Sequence, residues 1–405
     1  MSWMMADYAS GSELLEGMHA FLIKGHTGKP VYTGTGSGYC DDAIGTSTSV
    51  FEVITLTFSS ATAFDVSGSV TGPMGSGTVG TLFTHARFTC TMIAGSTAWV
   101  SGDTVTWVMT APWAATNYTA GQSYFYQAPG NDDNQEINIG LTVKSNSTGG
   151  YFGARLGVFP TRLTDGTYYR EWNALWWPLG TYNGSACRLY VVADGQGFWA
   201  TVRVGTYMHH CTAGYLETFG TLEDNPYPYF VGGSASWVTE PADSSTSWLY
   251  SNIGGSPISA YQVGMFYDRV NVRDGRLYVR THENTWAVVQ PRYNTLPGYE
   301  HNAAHDIARI RFGVNVGFNL DGSLPTWKLP VTKRASSDPN TGYAAIAASC
   351  VYGNLPFVRW IPPSPGGDLL LAESTFRMAG GRNMLVVLQT ANNSSEGSLF
   401  GLEMY

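Results

Sequence analysis

The chain of 405 residues is poor in charge: Asp, Glu, Lys and Arg together make 13% of it, against a usual share of about 25%. Its formal net charge is −8, and Lys and Arg cluster nowhere along it. A phosphate backbone is held by many clustered cations, so nucleic acid is not an expected partner. No apolar run reaches the ~18 residues a membrane-crossing helix needs, so no membrane partner is expected either. The first residues, Met1 to Asp7, lack a basic stretch followed by an apolar one, so no secretory signal is expected and synthesis in a cytoplasm is.

Histidine and cysteine are also sparse. There are eight His and five Cys. The cysteines (Cys40, Cys90, Cys187, Cys211, Cys350) are scattered, none in a C-x-x-C pair, a spacing that suggests neither a zinc knuckle nor a disulfide framework. Cys90 and Cys350 sit in apolar strand-like runs and read as buried thiols. The most metal-like cluster is His209-His210-Cys211. On a strand His209 and Cys211 would share a face, yet zinc would need two further ligands. His301 and His305 have the i, i+4 spacing of a helical pair, without a Glu between them to complete a zinc-protease motif. Asn131 to Glu136 is rich in oxygen ligands but lacks the Gly and distal Glu of a calcium loop. No G-x-S-x-G elbow occurs, and nothing in the pattern sets two carboxylates at glycosidase spacing. No cofactor and no enzymatic activity are therefore expected.

Aromatic residues (14%) and glycine (48) are plentiful. A chain so rich in apolar surface buries it rather than staying disordered, and one so poor in charge suits a surface covered by neighbours. The pattern is that of β-structure. Val53 to Phe58, Phe64 to Val70, Phe88 to Ile93 and Val105 to Met109 alternate apolar residues with Thr, Ser or Asp, separated by Gly-rich turns. They predict a small immunoglobulin-like sandwich over 31–113. Residues 114–135 read as a linker, and 136–405 as a larger β-rich domain with a possible division near 260. Three Asp-Gly pairs, 194–195, 274–275 and 321–322, mark expected hairpin turns, and Met384 to Leu388 with Leu399 to Met404 are the closing strands.

Helix signals are few. Leu14, Leu15, Met18, Phe21 and Leu22 recur at helical spacing after Ser12, a candidate N-cap, and before Lys24-Gly25. Residues 1–30 thus predict one short amphipathic helix, with Leu14, Met18 and Leu22 as its docking stripe. Residues 169–177 and 300–308 are further candidates for helical turns. The overall expectation is a mainly β chain of tandem antiparallel sandwich modules with a short N-terminal helix. The Gly34 to Gly38 loop has no P-loop or dinucleotide context and reads as the lead-in to the sandwich. Trp172, Trp176 and Trp177, beside Tyr168 and Tyr169, suit a protein interface or the core better than a sugar platform. Pro226-Tyr227-Pro228-Tyr229 reads as a rigid extended contact segment, with Tyr227 and Tyr229 as its contact side chains.

Two stretches resemble modules of virion structural proteins of tailed bacteriophages. The first spans 32–110. It runs from Tyr32-Thr33-Gly34-Thr35-Gly36 through Phe51-Glu52-Val53-Ile54-Thr55 and Phe64-Asp65-Val66-Ser67-Gly68 to Gly102-Asp103-Thr104-Val105-Thr106-Trp107. The second spans about 137–235, at Arg155-Leu156-Gly157, Asn173 to Trp177, Tyr215 to Phe219 and Pro226 to Ser234. Gly380 to Gln389 with Leu399 to Leu402 resembles the closing hairpin of such proteins. The resemblance touches about half of the chain. It implies a virion component of tail, baseplate or neck, made in the host bacterial cytoplasm, whose partners are copies of itself and other virion proteins. Other readings are a fibre or spike that binds host surface glycan, a capsid decoration protein and, as an enzyme, a polysaccharide depolymerase.

Overall fold

The computed structural model describes residues 2–130, 137–146, 151–159, 175–180, 186–204, 207–218, 229–236, 274–280, 286–291, 305–307, 327–334, 348–361, 373, 375–377, 383–388 and 399–404. The described residues are mainly antiparallel β-structure with one short helix, as the alternation predicts. In chain order its first strands are β1 (Ser2–Tyr8), β2 (Val31–Thr33), β3 (Tyr39–Gly45), β4 (Glu52–Phe58), β5 (Ala63–Gly68), β6 (Gly72–Thr78), β7 (Leu82–Thr84), β8 (Phe88–Ile93) and β9 (Thr104–Met109). They continue with β10 (Ala114–Thr119), β11 (Ser123–Ala128), β12 (Ile137–Asn146), β13 (Tyr151–Phe159), β14 (Leu175–Gly180), β15 (Cys187–Ala193), β16 (Gly197–Val204), β17 (Tyr207–Tyr215), β18 (Glu217–Thr218) and β19 (Tyr229–Ser236).

Helix α1 (Gly11–Leu22) starts two residues earlier than Ser12 suggests. Ser10 caps it: its hydroxyl accepts from the Glu13 amide at 3.2 Å, and the Glu13 carboxylate accepts from the Ala9 amide at 3.0 Å. Ser10 wins because Glu13 lies three residues beyond it and closes the reciprocal box, whereas the residue three beyond Ser12 is Leu15. Leu14, Leu15, Met18, Phe21 and Leu22 are all buried among side chains from β11, β12, β13, β15, β16 and β17. The expectation that Leu14, Met18 and Leu22 dock on a neighbouring subunit is therefore corrected. The apolar stripe takes the nearest apolar sheet, and that sheet belongs to its own chain.

Residues 1–30 are no separate segment. β1 lies antiparallel to β15, from Ser2 opposite Ala193 to Tyr8 opposite Cys187. The body continues at once on the other side of the small module. β10 and β11 form a hairpin, and β11 pairs with β12 from Ser123↔Thr142 to Ala128↔Ile137. The linker expected at 114–135 is thus a pair of strands as far as Ala128, with 131–136 outside the described residues. Tyr124, Tyr126 and Ala128 alternate inward and are fully buried, which gives the hairpin a core face. Its tip is tied to α1 by Glu16, which accepts from the hydroxyls of Tyr118 and Tyr124 at 2.6 Å each and from the Gly121 amide at 3.2 Å.

Runs β11–β12–β13–β14 and β15–β16–β17–β19 are each antiparallel, and β14 meets the end of β19 through Leu175↔Ser236 and Trp176↔Ala235. The Asp194-Gly195 hairpin is present: the Asp194 amide donates to the Gly197 carbonyl at 3.1 Å, and its carboxylate accepts from the Gln196 amide at 2.7 Å. Asp274-Gly275 instead opens a strand, Asp274–Arg280, that pairs with β19 and with Trp286–Pro291. It pairs with β19 from Asp274↔Ala235 to Val279↔Phe230, and that ladder outweighs the local turn preference. The 321–322 pair lies outside the described residues. The helical turns expected at 169–177 and 300–308 are strand where described, at Leu175–Gly180 and His305–Ile307. The closing strands Asn383–Leu388 and Leu399–Met404 form the expected hairpin.

Between the two parts of the body, residues 31–109 form the small sandwich. A sheet ordered β2–β9–β4–β5–β6 faces a sheet ordered β3–β8–β7. Ile54, Leu56, Phe58, Phe64, Val66, Cys90, Met92, Val105, Trp107 and Met109 fill one core between them. The module is thus an insertion, and its two connections to the body run side by side. The Gly28 amide donates to the Val108 carbonyl at 2.6 Å, and the Thr110 amide to the His26 carbonyl at 2.9 Å.

Candidate assembly surface

Two buried carboxylates set the geometry of the small sandwich. Asp103 accepts from the amides of Thr35, Gly36 and Val100, each at 3.0 Å. The Gly34–Gly38 loop is therefore clamped in place. A Cβ at Gly34 would stand 2.0 Å from the Asp103 carboxylate, and one at Gly36 would stand 2.4 Å from the Trp99 ring. Glu52 similarly accepts from the Thr71 amide and hydroxyl, both at 2.9 Å, and holds the β5–β6 turn. Neither role is visible in the linear sequence, because each acid meets its partners across the fold.

The Asp103 clamp has a pH signature. The Val100 amide pulls its carboxyl below the ordinary carboxylate range; burial opposes this, and the Thr35 and Gly36 amides add to it. A depressed folded pKa stabilises the fold above the unfolded value of about 3.9, and that stability is lost as pH falls through the lower folded value. Thermal melts of the whole chain from pH 6 to pH 2.5 should show an acid-induced decline that Asp103→Asn flattens, with the variant less stable at pH 6. Equal profiles for both proteins would contradict the clamp.

The outward face of the five-stranded sheet is ordered by its register. One row across the strands reads Thr33, Thr104, Thr57, Asp65, Ser76; the next reads Val31, Thr106, Thr55, Ser67, Pro73; a third includes Val108 and Val53. Alternation puts their neighbours in the core and leaves these half-buried or exposed, Val31 at 59% and Val53 at 42%. Asp65 is the one carboxylate in these rows, and it accepts from the Ser76 hydroxyl at 2.6 Å. Within 31–109 the only exposed charged residues are Asp42 and Asp65. Strand spacing and rise give this face an area on the order of 500 Å².

Such a face can be covered at low cost. A hydroxyl taken from water regains a hydrogen bond from an opposing partner, whereas an unpaired charge does not recover its solvation. The valine side chains contribute about 25 cal/mol for each Å² of apolar surface removed from water.

The side chains singled out in the sequence fall elsewhere. Cys211 on β17 points into the large core, where burial pushes its thiol well above the ordinary range. The alternate residue His210 is also buried, with Nδ1 2.9 Å from the Thr201 hydroxyl. His209 lies on the same strand opposite Val202. Among the described residues no three of His, Cys, Asp and Glu gather as a metal site. His305 is in a short strand opposite Lys333, and His301 lies outside the described residues. Trp176 and Trp177 are in β14 opposite Arg155 and Ala154, while Trp172 and Tyr227 lie outside the described residues. Tyr229 is buried against Tyr215, whose hydroxyl donates to it at 3.2 Å. It serves the core of its own chain, which corrects its assignment as an intersubunit contact; the reason is that β19 is an interior strand, paired along both edges.

On β15 and β16 a charged network binds a distant turn. Glu373, at φ 69°, is bonded by the Tyr190 hydroxyl and the Arg203 guanidinium, while Arg188 pairs with Asp7 at 2.6 Å. All its acids and bases are paired with one another, so it reads as a clasp.

No protein-family model matches the chain, and no curated protein sequence matches it.

Proposed function

We propose that this chain is a structural subunit of a tailed-bacteriophage virion, in the tail, baseplate or neck, and that it acts by packing against copies of itself and other virion proteins. The observation that carries the reading is the Thr/Ser/Val face of the inserted sandwich, almost free of charge in a chain of net charge −8. The module stands between two paired connections, so it presents that face as a fixed unit rather than on a loose tether. Two such faces in contact would remove about 1,000 Å² in total, the lower bound for a specific interface. The likeness of 32–110 and 137–235 to virion proteins supplies the particle setting, and the face supplies the means of contact.

Sedimentation velocity of the purified full chain at micromolar concentrations tests the reading. Concentration-dependent species larger than one 43.9 kDa chain are expected. A monomer at every concentration, alone and when mixed with the other proteins of the particle, would overturn it.

A further inference from the structure

The small sandwich carries two cysteines that its strand register brings together. β3 and β8 are antiparallel, with Cys40 opposite Met92 and Asp41 opposite Thr91. Cys90, two residues along β8, is thus the diagonal neighbour of Cys40 on the same face. Both side chains are buried in the same core, at 2% and 0% exposure, and both are free thiols. The neighbouring Cys90 thiol is the largest influence on the Cys40 thiol and raises it well above the ordinary range. The ladder slips beside them: Asp41 pairs with Thr91 and Ile44 with Thr89, so Asp42 and Ala43 together face Cys90. Asp42 sits at φ 53°. Such a bulge adds twist and slack to one strand, which is what a diagonal pair needs to close to the Cβ separation of about 3.5–4.5 Å that a disulfide requires.

We propose that Cys40 and Cys90 are a disulfide-forming site that is reduced in the cytoplasm and closes when the protein meets an oxidising medium. The oxidant is a small-molecule disulfide such as oxidised glutathione. One cysteine thiolate attacks it and expels one glutathione thiolate. The second cysteine thiolate then attacks the mixed disulfide and expels the other. In sum two electrons and two protons pass from the protein dithiol to glutathione, and one S–S bond forms in the sandwich core. The bond would close a loop of some 50 residues across β3 to β8 and stiffen the module that carries the proposed assembly face. Because both thiols are buried, and contact with Cys90 followed by burial keeps the Cys40 thiol protonated, exchange waits on local opening of the module.

The site rests on the virion reading only for its setting, a protein made inside a cell that later leaves it. The bond is tested on the purified chain, whatever its assembly state. The protein is incubated with oxidised glutathione in sub-denaturing urea, quenched with N-ethylmaleimide and digested. Mass spectrometry should find the peptides of Cys40 and Cys90 joined, two hydrogens lighter than their sum. The melting temperature of the oxidised protein should rise by roughly 5 °C, a rise that Cys90→Ala and Cys40→Ala each abolish. Recovery of both cysteines as separate maleimide adducts, or only as separate glutathione adducts, would overturn the proposal without touching the virion reading. Failure to oligomerise alongside a joined peptide pair would do the reverse.

Discussion

Lowering the pH from 7 to 5 is expected to destabilise the body of this protein by on the order of 3–4 kcal/mol. Two imidazoles are responsible. His26 is fully buried between Phe21 and Trp113, with ring centroids at 5.0 and 6.2 Å, and its Nε2 meets the Leu22 carbonyl at 3.3 Å. Its Nδ1 has no hydrogen-bond partner among the described residues. Burial brings its pKa down to about 3; the Leu22 carbonyl opposes this, and the N-terminal amine and Lys24 reinforce it. Burial alone brings His210 down to about 4. In the unfolded chain both would titrate near 6.5. Below that value the unfolded state binds protons that the folded state refuses, so stability falls by about 1.4 kcal/mol per pH unit for each group until the folded pKa is reached. Urea midpoints at pH 7 and pH 5 measure the loss. His26→Gln with His210→Gln should remove most of the difference. A wild-type midpoint unchanged between the two pH values would show that these rings are not held neutral by burial.

The second large effect concerns assembly. Thr55 and Thr106 are directly opposite on β4 and β9, in the middle of the outward face. Thr55→Lys combined with Thr106→Glu puts opposite charges across the strand pair, an arrangement the isolated sheet tolerates. Covering that pair with a neighbour would remove both charges from water, at a cost of several kcal/mol. Self-association should weaken by roughly 100-fold or more while the thermal melt of the chain stays within a few degrees. Unchanged association would show that the contact is made elsewhere.

Much of the local structure was legible. Thr55-Leu56-Thr57 and Thr104-Val105-Thr106 alternate so strictly that both their strand character and their buried face follow from the letters alone. The stripe of α1 and the Asp194-Gly195 turn are equally local signals. What was hidden depends on distance along the chain. The pairing of β1 with β15 joins Ser2 to Ala193, and only that pairing reveals the sandwich as an insertion rather than the second of a row of modules. The destination of an apolar stripe is hidden for the same reason. Leu14, Met18 and Leu22 look identical whether they meet a neighbour or their own sheet. Tyr124 and Tyr126 passed for linker because their partners, β12 and α1, lie beyond the local window. The proposed assembly face was half legible: alternation marks which threonines point outward, but only the register reveals that they align in rows.

The rows of Thr33, Thr55, Thr57, Thr104 and Thr106 carry the account, and a reconstruction of the intact particle in which this chain is traced examines them most directly. In the assembled particle this face is expected to lie against another protein subunit, in an interface of more than about 1,000 Å². Finding it turned to solvent in every copy would contradict it.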